Sequence, residues 1–113
     1  MRAARLTVDG REVGLAAVAS TALDRLLGLM GRSELPGSVA LWLPACGSVH
    51  TCFMRFPIDV VYVNAGSEVL RVVRGLRPWR ISFGPRGARQ TVELRAGDAE
   101  ALQLHPGARL ELC

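Results

Sequence analysis

Residues 50 to 63, His-Thr-Cys-Phe-Met-Arg-Phe-Pro-Ile-Asp-Val-Val-Tyr-Val, set side chains with real chemistry directly against a run that has to be buried. The stretch holds one of the two histidines, one of the three cysteines, and an Arg and an Asp four residues apart. If the chain from 46 to 54 is extended, Cys46, Ser48, His50, Cys52 and Met54 point to one side, which invites a metal. The spacing argues against it: at ~3.3 Å per residue, Cys46 and Cys52 stand about 20 Å apart. That is beyond one ion's reach and beyond the ~7 Å between Cα atoms that a disulfide tolerates. His50 and Cys52 alone are two ligands, short of a site, so no metal and no cofactor is expected.

Nucleophilic catalysis is a second chemistry, with Cys52 or Cys46 activated by His50, since a neighbouring imidazolium stabilises a thiolate. Asp59 is the one candidate to orient the base. A third is anion binding. Arg55 can grip a carboxylate or phosphate with two parallel hydrogen bonds while Asp59 holds it or His50 in place. Asp59 also has a structural reading, pinning the turn after Pro57, because the start of a buried strand must satisfy its polar groups. The favoured expectation is a non-catalytic ligand- or partner-binding module. His50, Thr51, Met54, Arg55 and Asp59 frame its site, Trp79 lines it, and a small anionic ligand or a protein is the partner.

The elements that must position these residues follow from turns and periodicity. Asp9-Gly10 between Leu6-Thr7-Val8 and Glu12-Val13 predicts an opening hairpin whose second strand runs on towards Ala19. Ser20-Thr21 precede Leu23, Leu26, Leu27 and Met30, one apolar stripe of a short helix ended by Gly31. Val39 to Leu43 reads as a buried strand stopped by Pro44. Val60 to Val63 reads as another, turned by Asn64-Ala65-Gly66-Ser67 into Val69 to Val73. Gly75 to Gly87, with two prolines and three glycines, reads as a long irregular loop. Thr91 to Arg95 alternates like a half-exposed strand. Gly97-Asp98 starts a short helix burying Leu102 and Ala101, and Ala108, Leu110 and Leu112 mark a last strand. The sum is a mainly β chain, a compact antiparallel sandwich or barrel of about seven strands with one or two short helices, forming a single domain over residues 1–113.

Composition narrows the function classes. All fourteen basic residues are arginine and the formal net charge is +4. Arg71, Arg74, Arg77, Arg80, Arg86 and Arg89 fall between Val69 and Val92 with no acid among them, an arrangement suited to a solvated face or to an anionic polymer such as nucleic acid or phospholipid. No nucleic-acid motif accompanies them, and nucleic acid is not the expected partner. No segment reaches the ~20 apolar residues of a membrane span. The N-terminus meets a turn before any apolar leader, and three cysteines without an evident pairing suit a reducing compartment, so a cytoplasmic location is expected.

Arg25-Leu26-Leu27-Gly28-Leu29-Met30-Gly31-Arg32, Val49-His50-Thr51, Met54-Arg55-Phe56-Pro57-Ile58-Asp59-Val60-Val61 and Val92-Glu93-Leu94-Arg95-Ala96-Gly97, with the later Pro106-Gly107 turn, together resemble domain of unknown function number 192. The resemblance spans residues 6 to 112 and implies a compact, mainly β fold with a short helix after the first strands and no established activity. Many members carry Trp-Met-Lys-Asn-Thr where this chain has Thr51 to Phe56. Arg55 would therefore keep a charge but change its geometry, and Cys52 is not a residue that the family demands.

Overall fold

Asp9 and Gly10 both have positive φ, 49° and 83°, the pair of left-handed residues on which a type I′ turn depends. The chain reverses there, and β1 (Arg2–Val8) pairs antiparallel with β2 (Arg11–Val18) from Val8 opposite Arg11 to Arg2 opposite Val18. The predicted hairpin is present. The structure, a computed structural model, describes residues 2–19, 39–51 and 56–112, without the side chains of Arg2 and His50. The expected helix after Ser20, together with Cys52, Met54, Arg55 and Cys113, lies outside the described residues.

Seven strands form one sheet. After β2 come β3 (Ala40–Pro44), which ends on the predicted proline, β5 (Ile58–Asn64), β6 (Val69–Leu76), β8 (Ala88–Arg95) and β9 (Leu110–Leu112), in the spatial order β6-β5-β8-β3-β2-β1-β9. Every neighbouring pair is antiparallel except β2 and β3. Parallel neighbours need a crossover of a dozen residues or more, and the chain between Ala19 and Val39 has that length. The sheet's two outer strands approach each other at one point, where Glu68 bridges Arg109, Leu110 N–H donates to Ser67 O at 2.9 Å and Val69 N–H donates to Ala108 O at 2.8 Å. The sheet is therefore strongly coiled, yet no closed barrel is found among the described residues.

The fold is mainly β, as expected, and both faces of the central strands are covered. Val61, Val63, Val92, Leu94 and Trp42 pack on one face with Leu6, Val8 and Leu110. Ile58, Val60, Tyr62, Leu41 and Leu43 pack on the other. Burial on two faces explains why β5 is a continuous apolar run rather than an alternating one.

Three expectations are corrected. The presumed loop 75–87 contains β7 (Ile81–Phe83), which pairs with β4 (Ser48–His50) as a separate two-stranded ribbon. Distant pairing partners give these residues a ladder that their local sequence does not advertise. The helix α1 (Asp98–Ala101) buries Ala99, with Leu104 buried just beyond it, while Ala101 is exposed. It stops early because Gln103 adopts φ 60°. Leu104 N–H then bonds Ala99 O at 2.8 Å and Gln103 N–H bonds Glu100 O at 3.0 Å, the two bonds of a Schellman stop. The third correction concerns β8. It sits between β5 and β3, so Thr91 to Leu94 are all buried rather than alternately exposed.

Candidate functional site

The ribbon carries the His50 end of the chemistry-bearing stretch. In β4 and β7, Ser48 faces Phe83, Val49 faces Ser82 and His50 faces Ile81. The pairing extends past both ends, with Gly84 N–H bonding Gly47 O at 2.7 Å and Thr51 N–H bonding Arg80 O at 2.8 Å. Period-2 alternation then divides the ribbon. Val49 turns inward, buried with Tyr62 and Leu43, and Ser82 accepts a 2.7 Å hydrogen bond from the Tyr62 hydroxyl. Ile81 and Phe83 turn outward. Burial raises the Tyr62 pKa above its ordinary 10.0 and the Ser82 hydrogen bond opposes the rise. Tyr62 is thus a post joining the ribbon to the main sheet.

Thr51 is fully buried and fastens the chain that leads into β7. Its hydroxyl donates to Arg77 O at 2.5 Å and accepts from Arg80 N–H at 2.8 Å, while its carbonyl accepts from Trp79 N–H at 2.9 Å. Between those anchors Trp79 has φ 63°, a left-handed conformation that bulky residues rarely adopt, and the residue is 58% exposed. Thr51 and Trp79 are therefore brought together, the first as a buckle and the second as the side chain it presents.

Asp59 lies elsewhere. It alternates with Ile58, Val60 and Tyr62 on β5, so its carboxylate emerges on the other face, away from the ribbon. There it accepts three backbone N–H bonds: Gly75 at 2.9 Å on Oδ1, and Gly97 and Ala99 at 3.0 Å each on Oδ2. Asp59 is 1% exposed. It caps α1 and ties it to the end of β6.

The residue that sequence reasoning missed is Glu93. It stands opposite Val60 on β5 and Leu41 on β3, which places it on the ribbon's side of the sheet among apolar neighbours. It is 6% exposed, no described residue donates a hydrogen bond to its carboxylate, and burial raises its pKa from the ordinary 4.5 to about 7. The alternation of Thr91 to Arg95 disguised it as a surface charge. The signal that could have exposed it is the apolar company on either side, Val92 and Leu94, in a chain with few strands available to be edges.

The cysteine chemistry contracts. Cys46 is a free thiol that donates to Ser48 O at 2.9 Å, and its carbonyl accepts the Thr91 hydroxyl at 2.7 Å. Among the described residues no three His, Cys, Asp or Glu side chains gather as a metal site. No described helix is long and apolar enough to cross a membrane.

Comparison with known proteins agrees with this architecture. The profile of DUF192, described as an uncharacterized ACR, matches residues 4–112. A UPF0127 protein of Pyrococcus furiosus is 38% identical over 94 residues, covering 79% of this chain and 78% of its own length. One of Pyrococcus abyssi is 27% identical, covering 87% and 86%. Two solved structures share the fold. One is a protein of unknown function from Novosphingobium aromaticivorans, with TM-score 0.80, 20% identity, and 95% of this chain and 83% of that one covered. The other, from Sinorhizobium meliloti, is described as a putative transcription regulator, with TM-score 0.85, 19% identity, and 98% and 94% covered. A match over nearly the whole sequence, together with relatives of similar length, makes this chain a member of the DUF192 family of uncharacterised proteins.

Proposed function

We propose that the chain is a non-catalytic ligand-binding module whose site lies on the ribbon-covered face of the sheet. Glu93 is its polar group, and Val49 of the ribbon packs on the same face. The observation that carries this reading is the Glu93 carboxyl, buried without a hydrogen bond from any described residue. Desolvation is a cost borne by its charged form, although among the described residues no fully buried side-chain oxygen lacks a partner. A ligand that brings an N–H donor offsets that cost by pairing with the carboxylate. The ligand class supported at Glu93 is accordingly a small molecule with an amine, guanidine or amide group. The expectation of an acidic group on the ligand belongs to Arg55, which supplies the opposite charge.

A thermal-shift screen of aliphatic amines, guanidines and amino acids tests the reading. Compounds that stabilise the wild type and lose their effect in Glu93→Gln support it. Compounds that stabilise both proteins equally contradict a role for Glu93. Non-catalytic binding also predicts that Cys52 is alkylated no faster than free cysteine at neutral pH. A markedly faster reaction would favour an enzyme using Cys52 and His50 instead.

A further inference from the structure

The outward side of the β4/β7 ribbon is the most unusual surface of the molecule. Trp79, Ile81 and Phe83, at alternating positions, are 58%, 65% and 71% exposed. Folded chains bury such side chains when they can, and a cluster of large exposed apolar groups marks an interaction surface. The cluster is held still from behind. Thr51 clamps its first residue, Ser82 is bonded to Tyr62, and Gly84 closes against the sheet so tightly that an added Cβ would lie 2.7 Å from the Tyr62 ring. In the same segment of chain, Arg77, Arg80, Arg86 and Arg89 are exposed, and none of the four is in an ion pair among the described residues. No acidic residue occurs from Val69 to Val92.

We propose that this ribbon is a shallow docking surface for an anionic lipid bilayer, with Trp79, Ile81 and Phe83 entering the headgroup region and the four arginines meeting lipid phosphates. The charge selects the occupant: a segment with four exposed arginines and no acids is complementary to an anionic surface. The apolar residues select among anionic surfaces. Each residue is more than half exposed, so they suit a soft medium that closes around them. Nucleic acid would press Ile81 against phosphate, and a folded protein would need pockets to match. Trp and Phe are favoured at the headgroup level, where arginine can reach phosphate while its stem stays apolar. A few apolar side chains with a few cations give reversible, peripheral attachment. Each arginine near such a surface contributes about five-fold in affinity.

The test is sedimentation of the full chain with vesicles of equal parts phosphatidylcholine and phosphatidylglycerol, against pure phosphatidylcholine, with tryptophan emission read in parallel. Trp42 is buried, so a change in emission reports Trp79. The proposal predicts binding to the anionic vesicles only, a blue shift, quenching by brominated lipid, and weakening with salt. Ile81→Ser/Phe83→Ser and Arg77→Gln/Arg80→Gln/Arg86→Gln should each weaken binding at least ten-fold. If the first variant does not fold, the second, which alters exposed charges alone, carries the comparison. Equal sedimentation of wild type and folded variants overturns the proposal. So does a patch whose substitution abolishes duplex DNA binding or self-association while vesicle binding is absent.

Discussion

Replacing Glu93 with glutamine isolates the most unusual electrostatic feature of the fold. Folding raises the pKa of this carboxyl from 4.5 to about 7, so between those values the folded protein holds a proton that the unfolded chain releases. Stability then falls as pH rises through that window, because the state binding more protons is the folded one. At 1.36 kcal/mol per pH unit, the span from 4.5 to about 7 amounts to about 3 kcal/mol of stability, fully present below pH 4.5 and gone above pH 7. Glutamine resembles the neutral acid and does not titrate. Urea unfolding followed by tryptophan fluorescence from pH 4 to 8.5 should show wild type and Glu93→Gln nearly equal in acid and diverging as pH rises. The variant should be the more stable by about 3 kcal/mol, less whatever the amide costs in the same place. Every other titratable group is common to both proteins, so the difference curve belongs to Glu93. Parallel curves across the whole range would refute the claim that this carboxyl is buried and unpaired.

Thr51→Val removes the hydroxyl that holds Arg77 and Arg80 and should cost about 2 kcal/mol, with faster amide exchange at Trp79 and Arg80 as the local sign. Asp59→Ala leaves the N–H groups of Gly75, Gly97 and Ala99 without their acceptor. It should destabilise by about 3 kcal/mol or more in urea unfolding while leaving ligand stabilisation on the ribbon side intact. Gly84→Ala would push a Cβ to 2.7 Å from the Tyr62 ring and 2.9 Å from both the Ala88 Cβ and the Gly47 carbonyl, a clash with backbone that cannot relax cheaply. A loss of about 1–3 kcal/mol is expected, read as a lower denaturation midpoint.

Local rules made much of this legible. Asp9-Gly10 specified its turn because few other residue pairs tolerate two positive φ values, and Pro44 ended its strand where predicted. Asp59 could be read as structural because a carboxylate at the head of an apolar strand must find donors. What local rules could not supply was pairing at a distance. Ile81-Ser82-Phe83, between prolines and glycines, becomes a strand only because Ser48 to His50 lies alongside. Glu93 looked like one charge in an alternating strand, and only the insertion of β8 between β5 and β3 shows that both faces are covered. The two buried carboxylates therefore serve opposite faces of the sheet. Asp59 faces α1, whereas Glu93 faces the ribbon.

The claim at the centre of this account is that the Glu93 carboxyl is desolvated in the fold and gains from a donor, and the 13C shift of its carboxyl carbon reports this directly. Titration of selectively labelled protein should give a midpoint near 7, and the amine that stabilises most in the thermal screen should lower that midpoint by favouring the ionised form. A midpoint near 4.5, or one near 7 that no stabilising compound moves, would contradict it.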